Sequence, residues 1–216
     1  MRIRFITDNA SPLVFDDGEE RADVTIVCFY KEEVSYEKEL KGETCFFERL
    51  ARYSKASKSV VVCGCVTDTK GLRRKSVAVA EKGRLTGVAD MLNAVDGEYV
   101  SGAALRVYET GAGRMGVLVA NDLRFPELIK SLAECGSDFI VCALDTMEGI
   151  ETVLLRACAY CYGVPIYFCA QGYCMIADVS GEIVFASPNN DSITEFVPRK
   201  EYHLVETRRR GFYKAR

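Results

Sequence analysis

The chain has 216 residues, of which 49% are hydrophobic, and a formal net charge of −3. This size suits one globular domain with a full core, and the small charge excludes a global field that would recruit nucleic acid or an anionic membrane. The segment Met1–Thr7 is too short and too charged for a signal peptide, and no apolar run approaches the ~20 residues that span a bilayer. We therefore expect a single cytoplasmic domain over residues 1–216, with no membrane and no nucleic-acid partner.

Short runs rich in Val, Ile, Phe and Tyr alternate with three helical patterns along the chain. In chain order, the predicted elements are strands Arg2–Thr7 and Val24–Phe29, a helix over Thr44–Lys55, strands Ser59–Cys65, Ser76–Ala80, Ala104–Tyr108 and Met115–Ala120, a helix from Pro126 that Gly136 ends, strand Phe139–Ala143, a helix over Gly149–Tyr162 that Gly163 ends, and strands Pro165–Ala170, Tyr173–Asp178, Ile183–Ala186 and Ile193–Phe196. This order predicts an α/β (α+β layered) architecture in which helices cover stacked sheets.

The chain holds ten cysteines, and without a secretion signal we expect them to stay reduced. Most lie in apolar strands or helices, where a thiol behaves as a small hydrophobe. The pairs Cys63/Cys65 and Cys158/Cys161 have suggestive spacings, but they fall on a strand and on a helix rather than on the loops that usually bear zinc ligands. The sequence therefore predicts no metal and no cofactor.

Two features near the end of the chain favour ordinary surface roles. The sole histidine, His203, lies in an exposed-looking segment far from the cysteines, so a Cys–His pair is not expected. The basic tail Arg208–Arg216 is isolated in an acidic protein and does not indicate a nucleic-acid site.

The most informative stretch is Gly116-Val-Leu-Val-Ala-Asn-Asp-Leu-Arg-Phe-Pro-Glu-Leu128. It reads as a buried strand, a sharp turn and a helix that begins at Pro126. Many α/β enzymes place a nucleophile at such a junction, where the turn presents one side chain. Here the strand ends at Ala120, whose methyl group cannot attack a substrate. The stretch indicates a hydrolase fold from which the nucleophilic atom is missing.

The run Asp122-Leu-Arg-Phe-Pro-Glu-Leu128 resembles the nitrilase, or carbon–nitrogen hydrolase, superfamily, in which a nucleophilic Cys and one further residue precede Asp-Leu-Arg-Phe-Pro-Glu. Four weaker similarities fall in the family's order: the hairpin Ser76–Gly87, the Arg-Ala helix at Leu155–Ala159, the hairpin Asp178–Ile183 and the basic-aromatic tail Arg208–Tyr213. The resemblance implies an α-β-β-α sandwich, a homodimer and cleavage of non-peptide C–N bonds.

Family members use a Cys nucleophile, a Glu general base, a Lys that stabilises the oxyanion and often a second, supporting Glu. By the resemblance, the Cys position corresponds to Ala120, the Lys position to Met91 and the first Glu position to Phe29. The supporting Glu corresponds to Glu98. The nucleophile, the Lys and the base are therefore all replaced in this reading.

Two departures from the family pattern remain open to adjustment. A shift of three or four residues would offer Glu32 or Glu33 in place of Phe29, although no Pro-Glu pair is present. Cys161 stands where the Arg-Ala helix usually has an acidic residue. The polar, acidic connection Asp8–Arg21 is too short and broken for the long helix that the family has there, so we expect the first helix of the sandwich to be missing.

Three residues after Ala120 are candidates for contact with a ligand in the emptied site. Asn121 can offer its backbone N–H, and Asp122 and Arg124 either brace the turn or contact the ligand.

Loss of the nucleophile together with the Lys favours a pseudo-enzyme that binds a small amide or carboxylate ligand or a protein partner. One alternative is an amidase-type hydrolase whose nucleophile is relocated to another thiol, with candidates Cys28, Cys63, Cys65 and Cys142. Another is a structural subunit of a nitrilase-like assembly. An open pocket lined by Glu98 and Asn121 would favour ligand binding, whereas apolar filling by Met91 and Phe29 would favour a structural role.

Overall fold

The computed structural model describes residues 1–10, 13–14, 20–95 and 97–197. The strands are β1 Arg2–Ile6, β2 Val24–Ser35, β3 Val60–Thr69, β4 Leu72–Glu81, β5 Arg84–Asp90, β6 Arg106–Thr110, β7 Gly113–Val119, β8 Phe139–Ala143, β9 Ile166–Ala170, β10 Tyr173–Ala177, β11 Ile183–Ser187 and β12 Asp191–Glu195. The helices are α1 Tyr36–Lys41, α2 Phe46–Ser57, α3 Pro126–Glu134 and α4 Ile150–Tyr162, and a 3₁₀ turn spans Ala120–Arg124. His203 and the tail Arg208–Arg216 lie outside the described residues.

The strands form two mixed sheets that stack face to face. One sheet has the order β12-β1-β2-β3-β4-β5 and the other the order β11-β10-β9-β8-β7-β6. Parallel pairing joins β1, β2 and β3 in the first sheet and β7, β8 and β9 in the second. Because β3 and β8 lie in the middle of their sheets, both faces of these strands are covered, which explains the continuous apolar runs Val60–Cys63 and Phe139–Cys142.

Helices cover the two outer faces of this sandwich. Helix α2 packs on β3, β4 and β5, and α3 and α4 pack on the sheet that contains β7 and β10. The buried face of α2 presents Phe46, Leu50 and Tyr53 to the outer core cluster at helical spacing. The backbone N–H groups of Phe46 and Phe47 donate to the Glu39 carboxylate at 2.9 and 3.1 Å. A side chain that lies seven residues earlier in the chain thus caps the N-terminus of α2. The layers therefore follow the order α-β-β-α that the sequence predicts.

The described part of the connection between β1 and β2, residues 7–10, 13–14 and 20–23, contains no helix. Leu13 of this connection is buried in the same outer cluster as Tyr30 and Phe46. An apolar side chain of the connection therefore packs in the cluster to which α2 also contributes.

Some element boundaries differ from the sequence prediction. β2 runs to Ser35 rather than ending at Phe29, because irregular register around Phe29 lets Glu33 pair with Val66 of β3. Helix α1 was not predicted; the Ser35 side chain accepts a hydrogen bond from the Lys38 N–H at its start. The predicted start of α3 at Pro126 and the cap of α4 at Gly163 are confirmed. Helix α3 ends at Glu134, with Cys135 rather than Gly136 as its C-cap, and the helix predicted over Thr44–Lys55 runs from Phe46 to Ser57.

No helix within the described ranges has the length and apolar character needed to cross a membrane.

Candidate functional site

The candidate site is centred on the junction between β7 and α3. β7 ends at Val119, and Ala120 adopts a φ of +48°, in the left-handed region where an L-residue costs about 1–2 kcal/mol. The Phe125 N–H donates to the Asp122 carbonyl at 3.1 Å and closes the 3₁₀ turn before α3 begins. The predicted sharp turn is present, and it holds an alanine in a strained backbone conformation.

The side chains at the three positions that the resemblance assigns to the family's Cys, Lys and Glu are apolar and buried. Ala120 and Met91 are fully buried, Phe29 is 6% exposed, and all three belong to the core cluster between the sheets. A Cβ added at Gly64 would lie 2.6 Å from Cδ2 of Phe29, so the aromatic ring packs directly on β3. All three positions thus lie in one apolar core cluster.

Asp122 fixes the loop that follows β5. Its buried carboxylate accepts hydrogen bonds from the Leu92 N–H at 2.9 Å, the Asn93 N–H at 2.9 Å and the Asn93 side-chain amide at 3.2 Å. Burial raises the pKa of this carboxyl, and the hydrogen bonds from Leu92 and Asn93 partly offset the increase. Both carboxylate oxygens thus have partners within the protein.

Arg124 fastens the same turn to the start of α4. Its guanidinium lies 2.6 Å from a carboxylate oxygen of Glu148 and 3.6 Å from one of Glu151. Glu151 is buried and also accepts a hydrogen bond from the Glu148 N–H at 3.0 Å. In this arrangement Arg124 contacts protein carboxylates, and Asn121 between it and Ala120 is half-buried.

Charged side chains lie next to this apolar floor, on the same face of the first sheet. Glu33 of β2 pairs in register with Val66 of β3, and Val66 pairs with Lys75 of β4. The Met91 N–H donates to the Lys75 carbonyl at 2.8 Å, which continues the register of β4 and β5. Directly opposed residues project to the same face of a sheet. Glu33, Lys75 and Met91 therefore share one row on the inner face.

Lys75 bridges the two sheets. Its ammonium lies 2.9 Å from Oδ2 of Asp145, which follows β8 in the second sheet, and 5.0 Å from the centroid of the Tyr99 ring. The Lys75 side chain is 11% exposed and that of Asp145 is 41% exposed. A lysine this deeply buried is rare without a charged partner.

Arg73 lies two residues from Lys75 on the same strand. Its guanidinium is 3.1 Å from a carboxylate oxygen of Glu33, 3.1 Å from one of Glu98 and 5.4 Å from the centroid of the Tyr99 ring. Burial, followed by the hydrogen bond to Glu98, raises the pKa of the Tyr99 hydroxyl. We call Glu33, Arg73, Lys75, Glu98, Tyr99 and Asp145 the charged rim.

The structure therefore distributes the predicted site residues over three places. Ala120, Met91 and Phe29 lie in the buried floor, Asp122 and Arg124 brace the turn, and Glu98, 56% exposed, lies in the charged rim. Glu33, one of the two residues offered by the shifted reading, also lies in the rim.

Sequence reasoning missed Arg73, Lys75, Tyr99 and Asp145. The two-residue turn Lys82-Gly83 indicates the β4–β5 hairpin. The residue that lies opposite Lys75 is nevertheless Met91 because of a register shift between Val79 and Ala80, which the sequence does not indicate. Without that shift, Asp90 would be the opposed residue.

The buried thiols near the floor are poor nucleophiles. Burial and, secondarily, the nearby charge of Asp8 raise the pKa of Cys28 to about 12. Burial also raises the pKa of Cys142, with additional increases from Asp122 and Glu151. Activation of a thiol needs a cation or a base beside it, whereas these neighbours are acidic. Among the described residues, no group of three or more His, Cys, Asp and Glu side chains is placed to hold a metal ion.

Comparison with solved structures shows the nitrilase-superfamily fold. The chain is similar to the NitN amidase of Nesterenkonia sp. AN1, with a TM-score of 0.74, 14% identity and 98% of each chain covered. It is also similar to Nit3 of Saccharomyces cerevisiae, a member of branch 10 of the nitrilase superfamily, with a TM-score of 0.72, 14% identity and coverage of 98% of this chain and 93% of that one.

A third similar structure is a Nesterenkonia amidase mutant in which a cysteine is replaced by alanine, in complex with butyramide. Its TM-score is 0.74 at 15% identity, with 98% of this chain and 95% of that chain covered. No protein-family model matches the sequence, and no curated protein matches it. The fold is that of the nitrilase superfamily, as the resemblance of the Asp122–Leu128 run implies.

Proposed function

We propose that this protein is a non-hydrolytic member of the nitrilase superfamily that acts by binding rather than by cleaving C–N bonds. The observation that carries the proposal is Ala120, which occupies the strained turn with a fully buried methyl group. Thioester formation needs a thiolate at that place, and an alanine side chain has no lone pair or exchangeable proton.

The packing around Ala120 supports the same reading. The resemblance assigns Met91 to the position of the family's oxyanion-stabilising Lys, and the full burial of Met91 in the cluster that contains Ala120 supports the loss of that ammonium. Asp122 and Arg124, which still hold the turn, explain how the backbone keeps its conformation after the chemistry is lost.

The alternative of a relocated nucleophile receives less support from the electrostatics. The pKa values of Cys28 and Cys142 are raised, so the thiolate fraction at neutral pH is negligible. The fully buried Cys63 and Cys65 also have raised pKa values, with burial as the first cause in both.

Binding of a small amide or carboxylate is the activity we favour. The butyramide complex of the alanine mutant from Nesterenkonia supports it, because that nitrilase-fold protein binds a small amide with a cysteine replaced by alanine. In the present chain the charged rim, rather than the apolar floor, supplies groups that can hold a polar ligand.

The decisive assay is incubation of the unaltered protein with butyramide, with ammonia release and acyl-protein mass as the two readouts. We expect neither ammonia nor an acyl adduct above a heat-inactivated control. Hydrolysis that disappears in Cys142→Ser but persists in Cys161→Ser, a change at an exposed thiol, would establish a relocated nucleophile and refute the proposal.

A homodimer and a cytoplasmic location are part of the same proposal. Free cysteines throughout the chain suit a reducing compartment, and superfamily resemblance supports dimerisation. Sedimentation velocity over a hundredfold range of concentration tests the dimer, and a monomer throughout would contradict it.

A further inference from the structure

We propose that Lys75 anchors a site for a small monocarboxylate, which binds by taking the place of the Asp145 carboxylate on the Lys75 ammonium. This inference rests on the proposed binding function and names its ligand class. It places the ligand at the charged rim, not at the buried methyl of Ala120.

Lys75 is the fixed member of the ion pair. It lies within β4 between two paired strands, its side chain is 11% exposed, and the Tyr99 ring covers the ammonium at 5.0 Å. A buried ammonium without an anion is strongly disfavoured, so some carboxylate has to remain beside it.

Asp145 is the exchangeable member. It follows the last residue of β8, Ala143, by two positions and precedes α4, and its side chain is 41% exposed. Rotation of the Asp145 side chain toward water costs little, because a half-exposed carboxylate is already partly hydrated. An external carboxylate can then occupy the vacated position at the same N–O distance of 2.9 Å.

The neighbouring charges select a single negative charge. Arg73, the other cation of the rim, already holds the carboxylates of Glu33 and Glu98 at 3.1 Å each. The rim thus contains two cations and three carboxylates, counted from these ion pairs. A phosphate or a dicarboxylate would bring a second negative charge against Glu33 and Glu98, which is repulsive at this range. A monocarboxylate adds only one negative charge, which takes the place of the Asp145 carboxylate on Lys75 while Asp145 turns to water, so it brings the least repulsion from Glu33 and Glu98.

The test is isothermal titration of sodium butyrate into the protein at constant ionic strength, with sodium chloride as the balancing salt. Asp145→Asn removes the competing carboxylate and is expected to bind butyrate at least tenfold more tightly than the unaltered protein. Glu148→Gln is the matched control, because it removes a carboxylate of the same loop that pairs with Arg124 instead; its affinity should equal that of the unaltered protein.

The dependence on the ammonium is tested in the Asp145→Asn background. Adding Lys75→Met should abolish butyrate binding, whereas adding Lys75→Arg should retain it, and urea unfolding confirms that each variant is folded. If Lys75→Met does not fold, two other results test the dependence on the ammonium. Binding of butyrate should be retained in Lys75→Arg, and the butyrate signal should be lost fully at 1 M chloride because salt screens the ion pair.

Equal affinity of Asp145→Asn, Glu148→Gln and the unaltered protein would overturn the inference, as would binding that survives Lys75→Met. Titration with butyramide separates this failure from that of the proposed function. Binding of intact butyramide without binding of butyrate leaves the non-hydrolytic binding function in place and removes only the carboxylate site. Conversion of butyramide to butyrate refutes the proposed function itself.

Discussion

Replacement of Asp122 by alanine should loosen the junction between the 3₁₀ turn Ala120–Arg124 and the loop after β5. The substitution removes the acceptor for the Leu92 and Asn93 backbone N–H groups and for the Asn93 side-chain amide. A buried N–H that loses its partner costs about 1–3 kcal/mol. Because Leu92 and Asn93 are only half-buried, the loss for the two backbone donors lies toward the lower end, about 2–4 kcal/mol, and relief of the buried carboxylate offsets part of it. We expect a net destabilisation of about 2 kcal/mol at pH 7.

Urea unfolding measures the change in free energy, and amide hydrogen exchange of Leu92 and Asn93 reports on the predicted place of the damage. The matched control is Asp138→Ala, because the exposed Asp138 accepts one backbone hydrogen bond, from the Arg114 N–H at 2.8 Å; it should cost about 1 kcal/mol. A loss below 1 kcal/mol in Asp122→Ala, or unchanged protection of the two amides, would refute the bracing role.

Three further outcomes are expected. Because the pKa of Asp122 is raised in the folded state, this carboxyl ionises at lower pH in the unfolded chain than in the folded one. Its contribution to the free energy of unfolding is therefore full below about pH 4 and is lost as the pH rises through the folded pKa. Asp122→Asn should remove this pH-dependent loss of stability, and parallel pH profiles of unfolding free energy for the variant and the unaltered protein would contradict it. Gly64→Ala should destabilise the protein by about 1–3 kcal/mol in urea unfolding, since the new methyl would overlap the Phe29 ring; a neutral result would show that the ring moves freely. A disulfide reagent at pH 8 should modify only the exposed thiols of the native protein, which are Cys45, Cys135 and Cys161, as read by mass. Rapid labelling of a buried thiol would indicate an activated or accessible cysteine.

Much of the fold follows from local sequence signals. The continuous apolar runs Val60–Cys63 of β3 and Phe139–Cys142 of β8 predict strands covered on both faces, and the sandwich places both strands in the interior of its sheets. Pro126 and Gly163 mark helix ends because one lacks an N–H and the other adopts a φ of +64° without steric cost.

The prediction was weaker where pairing between strands overrides local preference. The segment Lys31–Ser35 reads as polar and charged, yet it continues β2 because the register irregularity at Phe29 brings Glu33 opposite Val66. Helix α1 is short and buries none of its residues, so it leaves no hydrophobic period in the sequence.

The sequence by itself determined that a sharp turn with Ala120 at its start, where the resemblance assigns the nucleophile, joins β7 to α3, because the residues from Ala120 to Pro126 are contiguous and their conformations are local. Only the tertiary structure decided what surrounds that alanine. Met91 and Phe29 reach the same core cluster from two strands far apart in sequence, and the register shift in the β4–β5 hairpin puts Lys75 beside Met91. The ion pair between Lys75 and Asp145 joins residues 70 positions apart on different sheets, and contacts of that kind depend on how the sheets stack rather than on any local pattern.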